Sequence, residues 1–101
     1  MNNLDILKKF SELVHDPSVT MDEIRASGFE RVYIKPLAKA IATKLNIDSK
    51  QHINIEGTIY IIFKLGGEWT ISLPYGKNNV KEDSQSIELP DIKDIISGLS
   101  V

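Results

Sequence analysis

Apolar and polar positions alternate with period two along the middle of the chain. From Ile53 to Leu65 every odd position except Gly57 is a large apolar residue, and the even positions are Asn54, Glu56, Thr58, Tyr60, Ile62 and Lys64. Beyond Gly66-Gly67 the alternation resumes, with Trp69, Ile71, Leu73 and Tyr75 set against Glu68, Thr70 and Ser72. This pattern predicts a long β-hairpin over 53–75, with one face buried and one face in water. Taking the odd positions as the buried set gives a core of Ile59, Ile61, Phe63, Trp69 and Ile71. It leaves Thr58, Tyr60, Ile62 and Lys64 on the outward face.

The flanking segments carry helical spacing. Ile6, Leu7, Phe10, Leu13 and Val14 share one side of a helix from Leu4 to His15, which Asp16-Pro17 ends because proline disfavours helical geometry in the residue before it. Thr20 and Glu23 fit a capping box that opens a short helix, and Gly28 stands where a left-handed cap closes it. Phe29 to Ile34 reads as either a short strand or a turn. Pro36 then suits the first position of a third helix, since its missing amide costs nothing there. That helix carries Ile34, Leu37, Ala38, Ile41 and Leu45 on one side and Lys35, Lys39, Thr43 and Asn46 on the other. Residues 76–79 signal a turn, Ser86 to Leu89 a short strand on an edge of the hairpin, and Pro90 to Gly98 a last helix. The class is α+β: three N-terminal helices packed on a small antiparallel sheet, with a C-terminal helix.

At 101 residues the chain is expected to form a single domain, 1–101, able to fold without staples. It contains no cysteine, which removes disulfides and thiolate chemistry together. The start lacks the basic and apolar stretches of a signal peptide, and no apolar run approaches the roughly 18 residues a membrane helix needs. A cytoplasmic protein, bacterial or from a phage, is the expectation. The net charge of −2 is uneven: residues 25–64 carry seven Lys and Arg against three acids, between two acidic flanks. A basic middle is a weak footprint for an anionic partner.

Candidate chemistry is sparse. His15 sits at a helix end, where a cation meets the helix dipole favourably, and His52 lies in a polar stretch. Neither has a companion at metal-ligand spacing, so no metal and no cofactor is expected. No serine lies in a nucleophile elbow, and Gly66-Gly67 lacks the further glycines and following helix of a phosphate loop. Asp91, Asp94, Glu82 and Asp83 have no spacing that specifies acid–base work. An enzyme is not expected.

Two binding roles are. An outward Tyr60 and Ile62 between Thr58 and Lys64 would anchor a protein–protein contact, because aromatic side chains supply area at little entropic cost. The first expectation is therefore a small non-catalytic binding protein of the inhibitor, immunity or accessory type, docking on another protein or on a second copy of itself. The competing arrangement has the C-terminal helix cover Ile62 from within. In element order, three helices followed by a hairpin over about residues 4–75 resemble the winged-helix variant of helix-turn-helix domains. That resemblance implies a DNA-binding regulator whose recognition helix presents Lys35, Lys39, Thr43 and Asn46 to DNA, with Lys64 at the wing.

Overall fold

The computed structural model describes residues 2–74 and 86–101. Tyr75, the turn expected at 76–79, and Glu82 and Asp83 lie outside them. The order is α1 (Asn3–His15), α2 (Met21–Ser27), a π-helical turn (Glu30–Ile34) running into α3 (Lys35–Lys44), β1 (Gln51–Ile55), β2 (Thr58–Leu65), β3 (Glu68–Ser72), β4 (Ser86–Ile87) and α4 (Ile92–Ser97). The fold is α+β, with three antiparallel strands, three N-terminal helical segments and a C-terminal helix.

The helix ends follow the sequence signals. Asn2 caps α1 by accepting from the Asp5 amide at 2.9 Å. Thr20 and Glu23 form the capping box of α2, and Gly28 closes it at φ +79°. The stretch from Phe29 to Ile34 is neither strand nor turn but helix, so only Gly28 separates α2 from the helical run that follows. Pro36 explains the irregular start of that run. A proline gives no amide to the carbonyl four residues back and its ring crowds that oxygen. One wide turn, with the Lys35 amide on the Glu30 carbonyl, sets the backbone around it. At the other end, Asn3 is buried and its amide donates to Ile96 O and Leu99 O, each at 2.8 Å. Those carbonyls close α4, so the first helix pins the last.

The sheet order is β3-β2-β1-β4, and the expected single strand 53–65 is two strands. Glu56 and Gly57, at φ +51° and +83°, form a two-residue turn between β1 and β2. Gly66 and Gly67, at +61° and +83°, form the turn between β2 and β3. Positive φ at both central residues is the hairpin geometry whose twist matches the strands it joins. The short β4 pairs parallel to β1, Ile53 opposite Ile87.

These turns overturn the expected faces. Across each of them an odd residue stands opposite an even one: Ile53 opposite Tyr60, Ile62 opposite Ile71. Residues directly opposite share a face. One face therefore carries Ile53 and Ile55 of β1, Tyr60 and Ile62 of β2, then Ile71 and Leu73. All six are buried in a cluster with Ile6, Leu7 and Phe10 of α1, Ile24 of α2, Leu37, Ala38, Ile41 and Ala42 of α3, and Ile92 and Ile96 of α4. Ile59, Ile61 and Phe63, expected in the core, are half-buried on the opposite face. Trp69 packs at the rim of the core with the Lys64 ammonium 5.2 Å from its ring centroid.

Candidate binding groove at the sheet edge

The docking residues expected on β2 are placed as follows. Tyr60 and Ile62 are 3% and 1% exposed, inside the core rather than on the surface. Tyr60 donates its hydroxyl to Leu7 O at 3.3 Å. Burial, and secondarily the charge of Glu56, pushes its phenol up to about 12. Thr58 is half-buried beside Tyr60, and Lys64 is exposed. The four do not form one outward patch.

The residues expected to meet DNA fare differently. Lys35, Lys39 and Thr43 follow one another at successive turns of α3, and Lys39 and Thr43 are exposed. Lys35 is bound to Glu68 of β3 at 2.9 Å. Asn46 is exposed just past the helix in a left-handed conformation, φ +55°. Lys64 is occupied by Trp69.

Of the two sets only Lys35 also borders a hollow beside β3. A groove of about 460 Å³ runs along β3, a volume in the range of ligand sites. Its lining includes Thr70, Ile71, Ser72 and Leu73 in unbroken succession. Successive residues of a strand point to opposite faces. The hollow touches three successive residues of β3 and Leu73 just past its end, so it meets side chains of both faces. β3 is an end strand of the sheet, but its edge is not open there: Thr70, Ile71 and Leu73 are all buried. Phe63 and Leu65 border the groove from the back of the sheet, while Phe10, Val14 and Met21 border it from the helices. Leu65 is 69% exposed.

Charge is gathered on the helical wall, where Arg25, Glu30, Arg31 and Lys35 line the groove. Arg25 is held by Asp22 at 3.5 Å and Lys35 by Glu68. Arg31 is exposed and has no ion pair among the described residues. Glu30 has an oxygen, Oε1, that is buried without a hydrogen-bond partner. A buried acceptor left unmade costs about 1–3 kcal/mol, so it needs an explanation. Glu30 also opens the π-helical turn, a distortion frequent at functional sites.

Catalytic groupings are not assembled on the described residues. Ser11 and His15 come within 3.4 Å, but His15 Nδ1 also lies 2.8 Å from the Ser11 carbonyl. A carbonyl only accepts, so Nδ1 carries a proton and is no base toward the hydroxyl. Ser18 donates its hydroxyl and amide to Asp16, which holds that carboxyl below its usual value and serves the turn after α1. No three or more His, Asp or Glu side chains among the described residues gather as a metal site, and no helix is long and apolar enough to cross a membrane. Comparison of the chain with known protein families, curated proteins and solved structures finds no match.

Sequence reasoning missed the groove because its walls come from α1, α2, the π-helical turn, the start of α3, β2, β3 and Leu73 just past it. One signal pointed toward it. Both hairpin turns are two residues long, so the odd apolar positions of β2 stand opposite polar positions on both neighbours: Ile59 opposite Asn54, Ile61 opposite His52 and Ser72, Phe63 opposite Thr70. An apolar row between polar rows borders something other than the core.

Proposed function

We propose that this chain is a small non-catalytic binding protein, of the inhibitor, immunity or accessory type, that acts in the cytoplasm of a bacterium or phage-infected cell by docking part of another protein in the groove beside β3. The observation that carries this reading is the groove of about 460 Å³ beside the end strand β3, bordered by apolar side chains from the helices and from the back of the sheet. Its apolar borders Phe63, Leu65, Val14 and Met21 supply contact area for a partner. The docking surface moves from Tyr60 and Ile62 to the neighbouring groove, while the kind of action stays as the sequence suggested. A photo-crosslinking residue at Leu65 is expected to capture a partner in cells, and the same residue at Lys44 on α3 is expected not to. Equal capture from both positions, or none from Leu65, would count against the reading.

A second reading, DNA binding, is favoured by one observation: a single residue, Gly28, separates α2 from the next helical run. A short turn, often with glycine, joins the two helices of helix-turn-helix domains, though it is usually about three or four residues long. Against it stand Lys35, already paired with Glu68, and a hairpin tip that offers Leu65 and Glu68 in place of cations. Binding to duplex DNA is expected to stay in the non-specific range of roughly 10⁻⁴–10⁻⁶ M at physiological salt. Nanomolar, sequence-selective binding lost in Lys35→Glu/Lys39→Glu would reverse the order of the two readings.

A further inference from the structure

We infer that the interface reaches from the groove onto the outer side of the helical run 29–44, where it takes an acidic segment of the partner that lays apolar side chains on Val32, Tyr33 and Pro36 and carboxylates on Arg31 and Lys39. The inference rests on the docking reading above and adds the chemistry of the partner. The run is apolar on two sides. Ile34, Leu37, Ala38 and Ile41 belong to the core cluster, whereas Val32 and Tyr33 are 54% and 41% exposed, Pro36 is exposed and Phe29 is half-buried. Residues three and four apart are neighbours on a helix, which joins these four into one outer patch. Tyr33 is braced there: its ring centroid lies 5.2 Å from that of Phe29, which stacks at 6.4 Å on buried Phe10. A braced aromatic gives contact area at little entropic cost.

A row of cations borders the patch. Arg31, Lys35 and Lys39 follow at four-residue steps, and the π-helical turn brings Arg31 nearly in line with Lys39 because it takes up an extra residue. Arg31 and Lys35 also line the groove, so the row joins the two surfaces. Lys35 at its centre is bound by Glu68, while Arg31 and Lys39 at its ends are exposed and have no ion pair among the described residues. Free cations two helical turns apart, about 11 Å, suit two carboxylates at that separation. Exposed pairs add little affinity but select the partner, and the apolar patch supplies the area. Phosphates of a nucleic acid would also meet the row, but Val32, Tyr33 and Pro36 beside it offer one hydroxyl and no cation to a phosphate backbone. A second copy meeting this run with its own brings no acidic row, since Glu30 is the only acid in residues 29–44.

The test displays a library of random peptides to the full chain and to Arg31→Glu/Lys39→Glu, whose two positions are exposed and outside the core cluster, so that both proteins are expected to melt alike. Against wild type, the enriched peptides are expected to combine apolar residues with at least two acids and to shift the backbone amides of residues 29–39 in NMR spectra. The double variant should bind them about tenfold or more weakly, and exchanging their acids for lysine should restore binding to it. Val32→Ser should weaken them as well, at unchanged stability. Peptides that shift Phe63 and Leu65 alone and ignore the charge exchange would overturn this inference and leave the docking reading standing. Self-association through residues 29–39 would put a second copy in the peptide's place and overturn it, as would duplex DNA bound there more tightly than any enriched peptide. No enrichment, or binding away from both the run and the groove, would overturn both readings.

Discussion

The two faces of β2 carry nearly the same chemistry and meet opposite fates. Tyr60 and Ile62 on one side are among the most buried residues of the protein, whereas Ile59, Ile61 and Phe63 on the other are half-buried and Leu65 is exposed. Residue type within the strand does not separate them. The neighbouring strands do: one face of β2 lies between Ile53 and Ile55 on one side and Ile71 on the other, and the opposite face lies between Asn54 and His52 and Thr70 and Ser72. A strand apolar on both faces is sorted by its partners, and the partners are set by turn length. The face left outside the core is then available to border a site.

The largest effect expected from this difference is in stability. Ile62→Ala removes a fully buried aliphatic side chain and should cost about 2–5 kcal/mol, while Ile61→Ala, one residue away and half-buried, should cost clearly less. Denaturant melts of the two variants check this. Equal losses would mean that the faces are not distinguished by the core.

The turn that sets the parity can be attacked directly. Gly57 sits at φ +83° with nothing within 4 Å of where a Cβ would stand, so Gly57→Ala meets no clash and reports the backbone alone. The expected loss is about 1–2 kcal/mol, from a side chain forced into the left-handed region. A neutral outcome in thermal melts would show that the β1–β2 turn does not depend on this conformation.

The same turn shows what was legible in the sequence. Helix caps at Thr20, Gly28 and Asp16 were legible because each depends on residues within four positions of one another. The faces of the sheet were not read correctly, because a long run of alternation looks continuous even where Glu56-Gly57 folds it back. Gly57 was visible as the one break in the odd positions, and its meaning depends on which residues it brings opposite. Pro36 likewise marked a helical start truthfully, yet the wide turn before it extends the helix to Phe29. The Asn3 bonds to α4 join positions more than ninety apart, and no local pattern announces them. Groove residues share that difficulty: Glu30 and Arg31 read as ordinary surface charges until β3 is placed beside them.

A smaller effect separates the polar tip of Tyr60 from its ring. Tyr60→Phe keeps the buried area and loses the bond to Leu7, for an expected cost of about 0.5–1.5 kcal/mol at neutral pH. The phenol titrates near 10 when unfolded and is pushed up to about 12 in the fold. The unfolded chain therefore releases this proton first. Its contribution to stability is full below pH 10 and is lost as pH rises from there toward 12. Stability curves of wild type and Tyr60→Phe should converge over that window. Curves that stay parallel would place the hydroxyl in water rather than under α1.

The smallest expected effect on folding tests the outer face of the same strand. Leu65 is exposed, follows Phe63 along the groove and is not a member of the buried core cluster. Leu65→Ser should change stability by no more than about 0.5 kcal/mol, the range for surface positions away from special features. Loss of partner or peptide binding by this variant, at unchanged stability, would assign folding to one face of β2 and recognition to the other. The paired measurement matters because each half alone has an ordinary explanation: weakened binding in an unstable variant reports unfolding, and a stable variant with no phenotype reports an idle surface. A stable Leu65→Ser that binds as wild type does would remove Leu65 from the recognition surface, and a destabilised one would show that this end of β2 belongs to the core after all.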